Sequence, residues 1–345
     1  MIAALLSLIW FVTDCDNTLV HYDSIDASHN DGSHSSNFPH KNSDGLPFAE
    51  KLINLPASSG SGKVASLSSG TVRKLDEISK EGVQIICATG MRASTMLQRE
   101  VFFPSISYWA CENGGRIFYR EKEGEPPKEI AEYTELFESN IGLKNDLAAF
   151  AETLRNEGRH VDSNGYHTMI RVKGDDLDTV VSRIPDTLSH TFNLGYLDIQ
   201  YPGCGKLAAA RWIIRNHHLQ LQRVESDSQT SSSRLLASNQ NILGLNPTEN
   251  VTGDFPFFFM GDDDNDVEIA SASREAFITK PCSNAMQHFI DRYRLSRTAE
   301  KVEDFSVHKV HEAPFLRHRG TETLLENILQ TVRAKKELAM QSDEL

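Results

Sequence analysis

The sequence has few cysteines, and those that it has are widely scattered. Its 345 residues include only Cys15, Cys87, Cys111, Cys204 and Cys282, and no two of them form a Cys-x-x-Cys pair. This spacing predicts neither a zinc site nor a disulfide framework. We therefore expect buried free thiols in a reducing compartment.

A long apolar run is also missing. Residues 1–12 are apolar, but Asp14 follows almost at once, and a bilayer span needs roughly 20 apolar residues. The segment also lacks a basic start and a small-residue cleavage site, so we interpret it as a strand rather than a signal peptide. Residues 342–345, Ser-Asp-Glu-Leu, resemble an endoplasmic-reticulum retrieval signal. Such a signal acts only on a secreted protein, so it would matter only if the protein has a signal peptide that this sequence does not include. The predicted location is cytoplasmic, with no membrane partner.

Positive charge is in deficit. The chain has 35 lysines and arginines against 48 acidic residues, which gives a formal net charge of −13. This balance argues against a broad nucleic-acid surface, so no nucleic-acid partner is predicted. A small anionic substrate is still compatible with this net charge, because a site can be locally positive on an acidic protein.

Apolar runs of strand length alternate with helical patterns through much of the chain. A run at 8–12 precedes a helical pattern at 71–82, and further strand-like runs follow at 83–87 and 105–111. This alternation predicts the α/β class, with a Rossmann-like parallel sheet. Sheets of this kind bind ligands at the carboxyl ends of their strands.

The pattern changes after residue 115. A long helix predicted over 134–156 and another over 175–188 are each followed by two short strand candidates. This order predicts a compact α+β cap domain at 116–201 that is inserted into the sheet domain.

The flanking segments, 1–115 and 202–345, are predicted to form the core domain. Polar, serine-rich stretches interrupt it at about 23–60 and 222–252. We interpret both as surface insertions.

Polar side chains stand where the predicted strands end. Asp14 and Asp16 follow the first run, and their i, i+2 spacing lets both carboxylates converge. Thr89 follows a later run, Asp262 and Asp266 follow another, and Lys206 stands where a loop opens into a helix. So many carboxylates need a cation, and hard oxygen ligands with few histidines favour Mg²⁺. A carboxylate nucleophile, a lysine and Mg²⁺ together are typical of phosphoryl transfer.

These residues resemble the motifs of the haloacid dehalogenase superfamily. Asp14-Cys15-Asp16-Asn17-Thr18 matches its Asp-x-Asp-x-Thr motif, and the three later motifs match at Thr89, Lys206 and Gly261-Asp262-x-x-Asn265-Asp266. The resemblance covers most of the chain outside the two polar stretches. A folded insertion between the second and third motifs resembles the type IIB branch, which includes sucrose-phosphate phosphatase and the Cof-type sugar phosphatases.

The resemblance implies a role for each motif residue. Asp14 would attack phosphorus and become an aspartyl phosphate, and Asp16 would act as the general acid and base. Thr89 and Lys206 would hold the phosphoryl oxygens. The metal ligands would be Asp14, the main-chain carbonyl of Asp16, Asp262 and, directly or through a neighbour, Asp266.

Further polar residues near the motifs are candidates for binding the substrate. The predicted set is Thr89, Gly90, Arg92, Asn113, Lys206 and Asn265. Arg171 and Lys173 share one face of a predicted strand, and a surface or structural role is favoured for both. Asp263 stands where the family often has serine, and either a metal ligand or a solvated surface charge fits it.

The resemblance and the residues together predict a Mg²⁺-dependent phosphomonoester hydrolase. Its substrate would be a small phosphorylated metabolite, with a sugar phosphate favoured. The acid at Asp16 separates such phosphotransferases from the dehalogenases of the superfamily. Two alternatives stay open: a hexose phosphomutase, and a noncatalytic binding or regulatory protein that keeps the fold.

Overall fold

A computed structural model describes residues 9–22, 51–56, 64–227, 256–298, 307 and 309–342. Most of the two predicted polar insertions, and the C-terminal residues 343–345, lie outside the described residues. Predictions about those segments stay predictions.

The elements are numbered in chain order. The strands are β1 (Trp10–Thr13), β2 (Val20–Tyr22), β3 (Leu52–Asn54), β4 (Ala65–Ser68), β5 (Gln84–Ala88), β6 (Tyr108–Cys111), β7 (Arg116–Tyr119), β8 (Lys128–Glu129), β9 (His160–Asp162), β10 (Met169–Lys173), β11 (Ser189–Asn193), β12 (Tyr196–Gln200), β13 (Phe257–Gly261), β14 (Glu275–Ile278) and β15 (Lys309–Glu312). The helices are α1 (Ser69–Lys80), α2 (Ala93–Arg99), α3 (Ala131–Glu138), α4 (Ile141–Asn156), α5 (Leu177–Val181), α6 (Lys206–Asp227), α7 (Val267–Ala272), α8 (Asn284–Thr298) and α9 (Arg317–Ser342).

Within the described residues, eight strands form one large sheet. Their order is β15-β14-β13-β1-β5-β6-β7-β8, and the first six run parallel while β7 and β8 are antiparallel additions at one edge. Helices flank the sheet, which confirms the predicted α/β class with a Rossmann-like core.

The central strand β1 is buried on both faces, which explains its uninterrupted apolar sequence. Trp10 and Val12 belong to a core cluster that includes residues of α6, α7 and α8. Phe11 points the other way, into a second cluster with residues of α1 and α9. Burying each such side chain contributes about 1.5–3 kcal/mol, so the strand that carries Asp14 is held firmly.

A second, antiparallel sheet has the order β11-β12-β10-β9, with α3, α4 and α5 between or before its strands. The division of the chain into core and cap domains stays a prediction. Strands β7 and β8 pair within the large sheet, so residues 116–119 and 128–129, which were predicted to belong to the cap, extend the core sheet instead.

The prediction of one continuous helix over 134–156 is wrong. Two helices stand there, because Asn140 begins α4 and its side chain accepts a hydrogen bond from the Leu143 N–H at 3.2 Å. The predicted helix over 175–188 is shortened to α5, since Pro185 disfavours helical backbone at the residue before it.

A small third sheet, with the order β2-β4-β3, follows the Asp14–Asp16 loop. Its strand β3 lies inside the stretch of about 23–60 that was predicted to be a polar insertion. This sheet positions Tyr22, which proves important at the site.

No helix among those described is both long and apolar enough to cross a lipid bilayer.

Candidate active site

The ends of three neighbouring parallel strands place the first candidate residues together. Strand β1 lies between β5 and β13, and Thr13 pairs with Cys87 on one side and Met260 on the other. The Asp14 N–H donates to the Met260 carbonyl at 2.8 Å. Asp14 therefore lies at the rim of the sheet between Thr89 and Asp262.

Three carboxylates converge at this rim. One oxygen from each of Asp14, Asp262 and Asp266 lies within 4.8 Å of the other two, and all three side chains are buried. Burial raises the pKa of Asp14, Lys206 opposes this rise, and Asp266 adds to it. Burial, followed by the charges of Asp14 and Asp266, also raises the pKa of Asp262. The cluster is a concentration of negative charge shielded from water.

Lys206, the first residue of α6, supplies the positive charge to this cluster. Its Nζ donates to Asp14 Oδ1 at 2.8 Å, to Asp266 Oδ1 at 2.6 Å and to Asn265 Oδ1 at 3.1 Å. Burial by itself would lower the pKa of Lys206, but the charges of Asp14 and Asp266 outweigh it and the pKa is raised. The lysine therefore stays an ammonium ion.

Asp266 also shapes the loop that follows β13. Its Oδ2 accepts the main-chain N–H groups of Asp262 at 3.1 Å and Asp263 at 3.2 Å. Gly261 is required at this turn, since a Cβ there would lie 2.6 Å from Asp266 Oδ2. Thr18 donates to Asp262 Oδ1 at 2.6 Å and ties the first motif to the fourth.

Asp16 has two partners that the sequence did not indicate. The Tyr22 hydroxyl donates to Asp16 Oδ1 at 2.6 Å, and Arg99 Nη1 donates to the same oxygen at 2.9 Å. Arg99 Nη2 also donates to the Tyr22 hydroxyl at 3.1 Å, which closes a triangle. Burial raises the pKa of Tyr22, so its hydroxyl remains a donor. No motif in the sequence marks either residue.

Three of the predicted substrate-binding residues, Lys206, Asn265 and Asn113, belong to one chain of hydrogen bonds. Asn265 Nδ2 donates to Asn113 Oδ1 at 3.0 Å, and Asn113 Nδ2 donates to Asp198 Oδ2 at 2.9 Å. Asp198 is fully buried and binds Arg171 through two bonds, of 2.6 and 2.7 Å. The chain thus runs from Lys206, through Asn265, to an arginine of the second sheet.

Thr89 and Gly90 lie beside this chain. The Thr89 carbonyl accepts the Asn113 N–H at 3.0 Å, and the Gly90 carbonyl accepts Arg171 Nη2 at 3.3 Å. Thr89 is fully buried, with its Oγ1 accepting the Met91 N–H at 3.2 Å.

A cavity of about 440 Å³ opens above the rim, between the large sheet and the four-stranded sheet. Asp16, Arg92 and Asp262 line it, whereas Asp14, Thr89 and Lys206 are almost fully buried. Arg171 and Lys173 line it too. Their shared face of β10 is therefore turned towards the cavity, while Arg171 also has a structural contact with Asp198.

Neither a protein-family model nor a curated protein matches the chain in sequence. Solved structures do match it. The sucrose-phosphatase of Synechocystis sp. PCC6803, in complex with sucrose and phosphate, aligns with a TM-score of 0.52 at 12% identity, over 94% of this chain and 99% of that one. A member of a phosphoryl-transfer superfamily aligns with a TM-score of 0.50 at 10% identity, over the same shares. A subclass IIB sugar phosphatase of the haloacid dehalogenase superfamily has a TM-score of 0.49 at 11% identity, over 96% and 98%.

The chain has the haloacid dehalogenase fold. At these identities the likeness shows the fold alone, and the reaction has to be argued from the site.

Within the haloacid dehalogenase fold of this chain, Asp263 links the two sheets. Its Oδ2 accepts the main-chain N–H of Leu194, at the tip of the hairpin between β11 and β12. Burial, only partly opposed by hydrogen bonds to main-chain N–H groups, raises the pKa of Asp263. In the described structure its carboxylate therefore joins the hairpin to the loop after β13. The two roles considered from the sequence, a metal ligand and a solvated surface charge, did not include this contact.

Replacing Gly90 by alanine is expected to disturb this haloacid dehalogenase fold where its two sheets meet. A Cβ at Gly90 would lie 1.9 Å from Asn193 Nδ2 and 2.7 Å from Asn113 Oδ1, so these buried side chains must shift. We expect the free energy of unfolding, measured in urea, to fall by about 1–3 kcal/mol.

The matched control is Gly205→Ala. A Cβ at Gly205 would have Glu268 Oε2 as its nearest neighbour, at 3.9 Å, which is ordinary contact. Equal stabilities for the two variants would contradict the close approach at Gly90.

Proposed function

We propose that the chain is a Mg²⁺-dependent phosphomonoester hydrolase that acts through an aspartyl phosphate on Asp14. The observation that carries the proposal is the buried carboxylate of Asp14, 2.8 Å from the Lys206 ammonium and beside Asp262 and Asp266. The fold supports it, since the sucrose-phosphatase of the same fold was crystallised with sucrose and phosphate. On that basis the proposed substrate is a small sugar phosphate.

The residues at the rim fit a magnesium ion. Three buried carboxylates and one ammonium leave an excess of two negative charges, which is costly to shield from water. Carboxylate oxygens are the ligands that Mg²⁺ prefers. We propose Asp14, Asp262 and the Asp16 carbonyl as ligands, with Asp266 beside them. When bound, the ion would neutralise charge on the phosphoryl oxygens.

In the proposed reaction, the Asp14 carboxylate attacks phosphorus in line with the leaving oxygen. The new O–P bond forms as the bond to the leaving oxygen breaks, and Asp16 gives that oxygen its proton. Asp16 then takes a proton from water as the water attacks the aspartyl phosphate. Inorganic phosphate leaves and Asp14 is restored.

The remaining residues position these groups. Lys206 and the Thr89 hydroxyl donate to phosphoryl oxygens, and Asn265 orients Lys206. Tyr22 and Arg99 fix the carboxylate of Asp16. We also propose that the four-stranded sheet and its helices form the cap that covers the substrate and excludes water.

Removing the metal is expected to abolish phosphate release. The test is a panel of sugar phosphates, among them sucrose 6-phosphate and trehalose 6-phosphate, with phosphate release measured in EDTA and again after Mg²⁺ is added. We expect release only with Mg²⁺ and without any bisphosphate activator. Mg²⁺ should also raise the Tm of the wild-type chain but not that of Asp262→Asn.

Each opposing result has its own meaning. Isomerised sugar phosphate without phosphate release would indicate the phosphomutase, and Mg²⁺ binding without turnover on the panel would indicate the noncatalytic alternative. Undiminished activity in EDTA would contradict the metal requirement. The cytoplasmic location stays a prediction.

A further inference from the structure

The side of the cavity that faces the reaction centre is rich in positive charge. Arg92 directly precedes α2, while Arg171 and Lys173 lie two residues apart on β10, and all three line the cavity. Tyr166 and Tyr196 line it between them. We call these five residues the basic wall.

Two carboxylates, of buried Asp198 and half-buried Asp162, hold the cations of the basic wall in place. Arg171 binds Asp198 with its Nε at 2.6 Å and its Nη2 at 2.7 Å. Lys173 Nζ lies 3.2 Å from Asp162 Oδ2, which also accepts Arg92 Nη2. These fixed partners lower the entropy that the long side chains would lose on binding a ligand.

Two tyrosine rings also contact these cations. The Arg92 guanidinium carbon is 4.6 Å from the centre of the Tyr166 ring, and that of Arg171 is 5.8 Å from it. Arg171 and Lys173 are each 5.7 Å from the centre of the Tyr196 ring. Such contacts fix a cation without neutralising it.

The basic wall brings three cations to one side of the cavity. Among the described residues, Asp162 and Asp198 are carboxylate partners of these cations. The other acids lining the cavity, Asp16, Asp262 and Asp263, stand at the reaction-centre end. Cations grouped on one side of a cleft can attract an anion even in a protein with net charge −13.

We propose that the basic wall is a subsite for a second anionic group of the substrate. The substrate would then carry a carboxylate or a further phosphate at the end of its carbon skeleton opposite the phosphoryl group that is removed. This inference rests on the proposed function for the identity of the first group. The cavity of about 440 Å³ suits a molecule of this size, and arginine and lysine cations attract both kinds of anion.

The test compares three ligands that share one pyranose ring. Glucose 1-phosphate is the reference, glucuronic acid 1-phosphate adds a carboxylate, and glucose 1,6-bisphosphate adds a phosphate. Binding is measured by calorimetry on Asp14→Asn with Mg²⁺, so that no ligand is consumed. We expect one of the two doubly anionic ligands to bind at least about tenfold more tightly than the reference, and which one does so distinguishes the two sources of the charge.

Variants then locate the effect in the Asp14→Asn background. Lys173→Gln should bring the affinity ratio between the preferred ligand and glucose 1-phosphate close to one, and Lys173→Arg should keep it. Lys128→Gln, on the exposed strand β8, is the matched control and should keep the ratio unchanged.

Two results would overturn the subsite: equal affinities for all three ligands, or a ratio that Lys173→Gln leaves intact. Neither result depends on turnover. If the wild-type chain releases no phosphate from any monoester, the proposed function fails, while the affinity ratio still decides the subsite.

Discussion

Replacing Asp14 by asparagine is expected to lower kcat for phosphate release by at least about three to four orders of magnitude. The amide cannot attack phosphorus as a carboxylate does. In the described structure, Asp14 is the residue that directly follows the central strand β1, between Thr89 and Asp262. Phosphate release under saturating Mg²⁺ measures the loss. The fold should survive. Burial raises the pKa of Asp14, so the folded state holds this charge at a desolvation cost that a neutral amide does not carry.

The control is Asp264→Asn, which makes the same chemical change in the loop after β13. Asp264 lies outside both the carboxylate cluster and the cavity lining. Its variant should keep the wild-type kcat within about twofold, because Asp264 lies outside both. Persistent turnover in Asp14→Asn, with urea unfolding unchanged, would refute the nucleophile.

Replacing Lys206 by methionine is expected to lower the free energy of unfolding by about 3–5 kcal/mol and to abolish activity. The ammonium contacts Asp14 and Asp266 and is the partner that balances their charge. Methionine fills the space but leaves these carboxylates, and Asp262, facing one another in a buried site. Urea unfolding in EDTA measures the loss.

The sign of the pH dependence follows from the raised pKa of Asp14 and of Asp262. Carboxyls whose pKa is raised in the folded state stabilise it most below their unfolded pKa, and this contribution is lost as the pH rises through the folded value. The deficit of Lys206→Met should therefore be larger at pH 7 than at pH 5.

Lys144→Met is the control for the lost lysine, because the ion pair of Lys144 with Glu138, at 3.8 Å, is exposed. It should change the free energy of unfolding by no more than about 1 kcal/mol. A loss in Lys206→Met as small as this would show that the carboxylates need no ammonium.

The sequence predicted the residues that follow parallel strands, and the reason is physical. Parallel strands bring their carboxyl ends to one edge of the sheet, so Asp14, Thr89 and Asp262 had to meet once their strands were recognised. The distances between these side chains could not be predicted from the sequence, but the sheet edge that they share could.

The partners of Asp16 show where such reasoning stops. Tyr22 reaches the carboxylate through the small third sheet, and Arg99 reaches it from the end of a helix 83 residues further along the chain. Neither position belongs to a repeating pattern. The alternation of a strand places Arg171 and Lys173 on one face, but only tertiary packing decides that this face meets the cavity.

The pairing of β1 with β13 has a consequence for how the protein is made. Thr18 and Asp262, which bond at 2.6 Å, stand 244 positions apart, so a ribosome releases the strand of Asp14 long before its neighbour exists. Until then one edge of an apolar strand lacks its partner, a state that favours aggregation. The proposed reaction centre is thus completed late in synthesis, and a nascent chain that stalls before residue 257 carries Asp14 without Asp262 and Asp266 beside it.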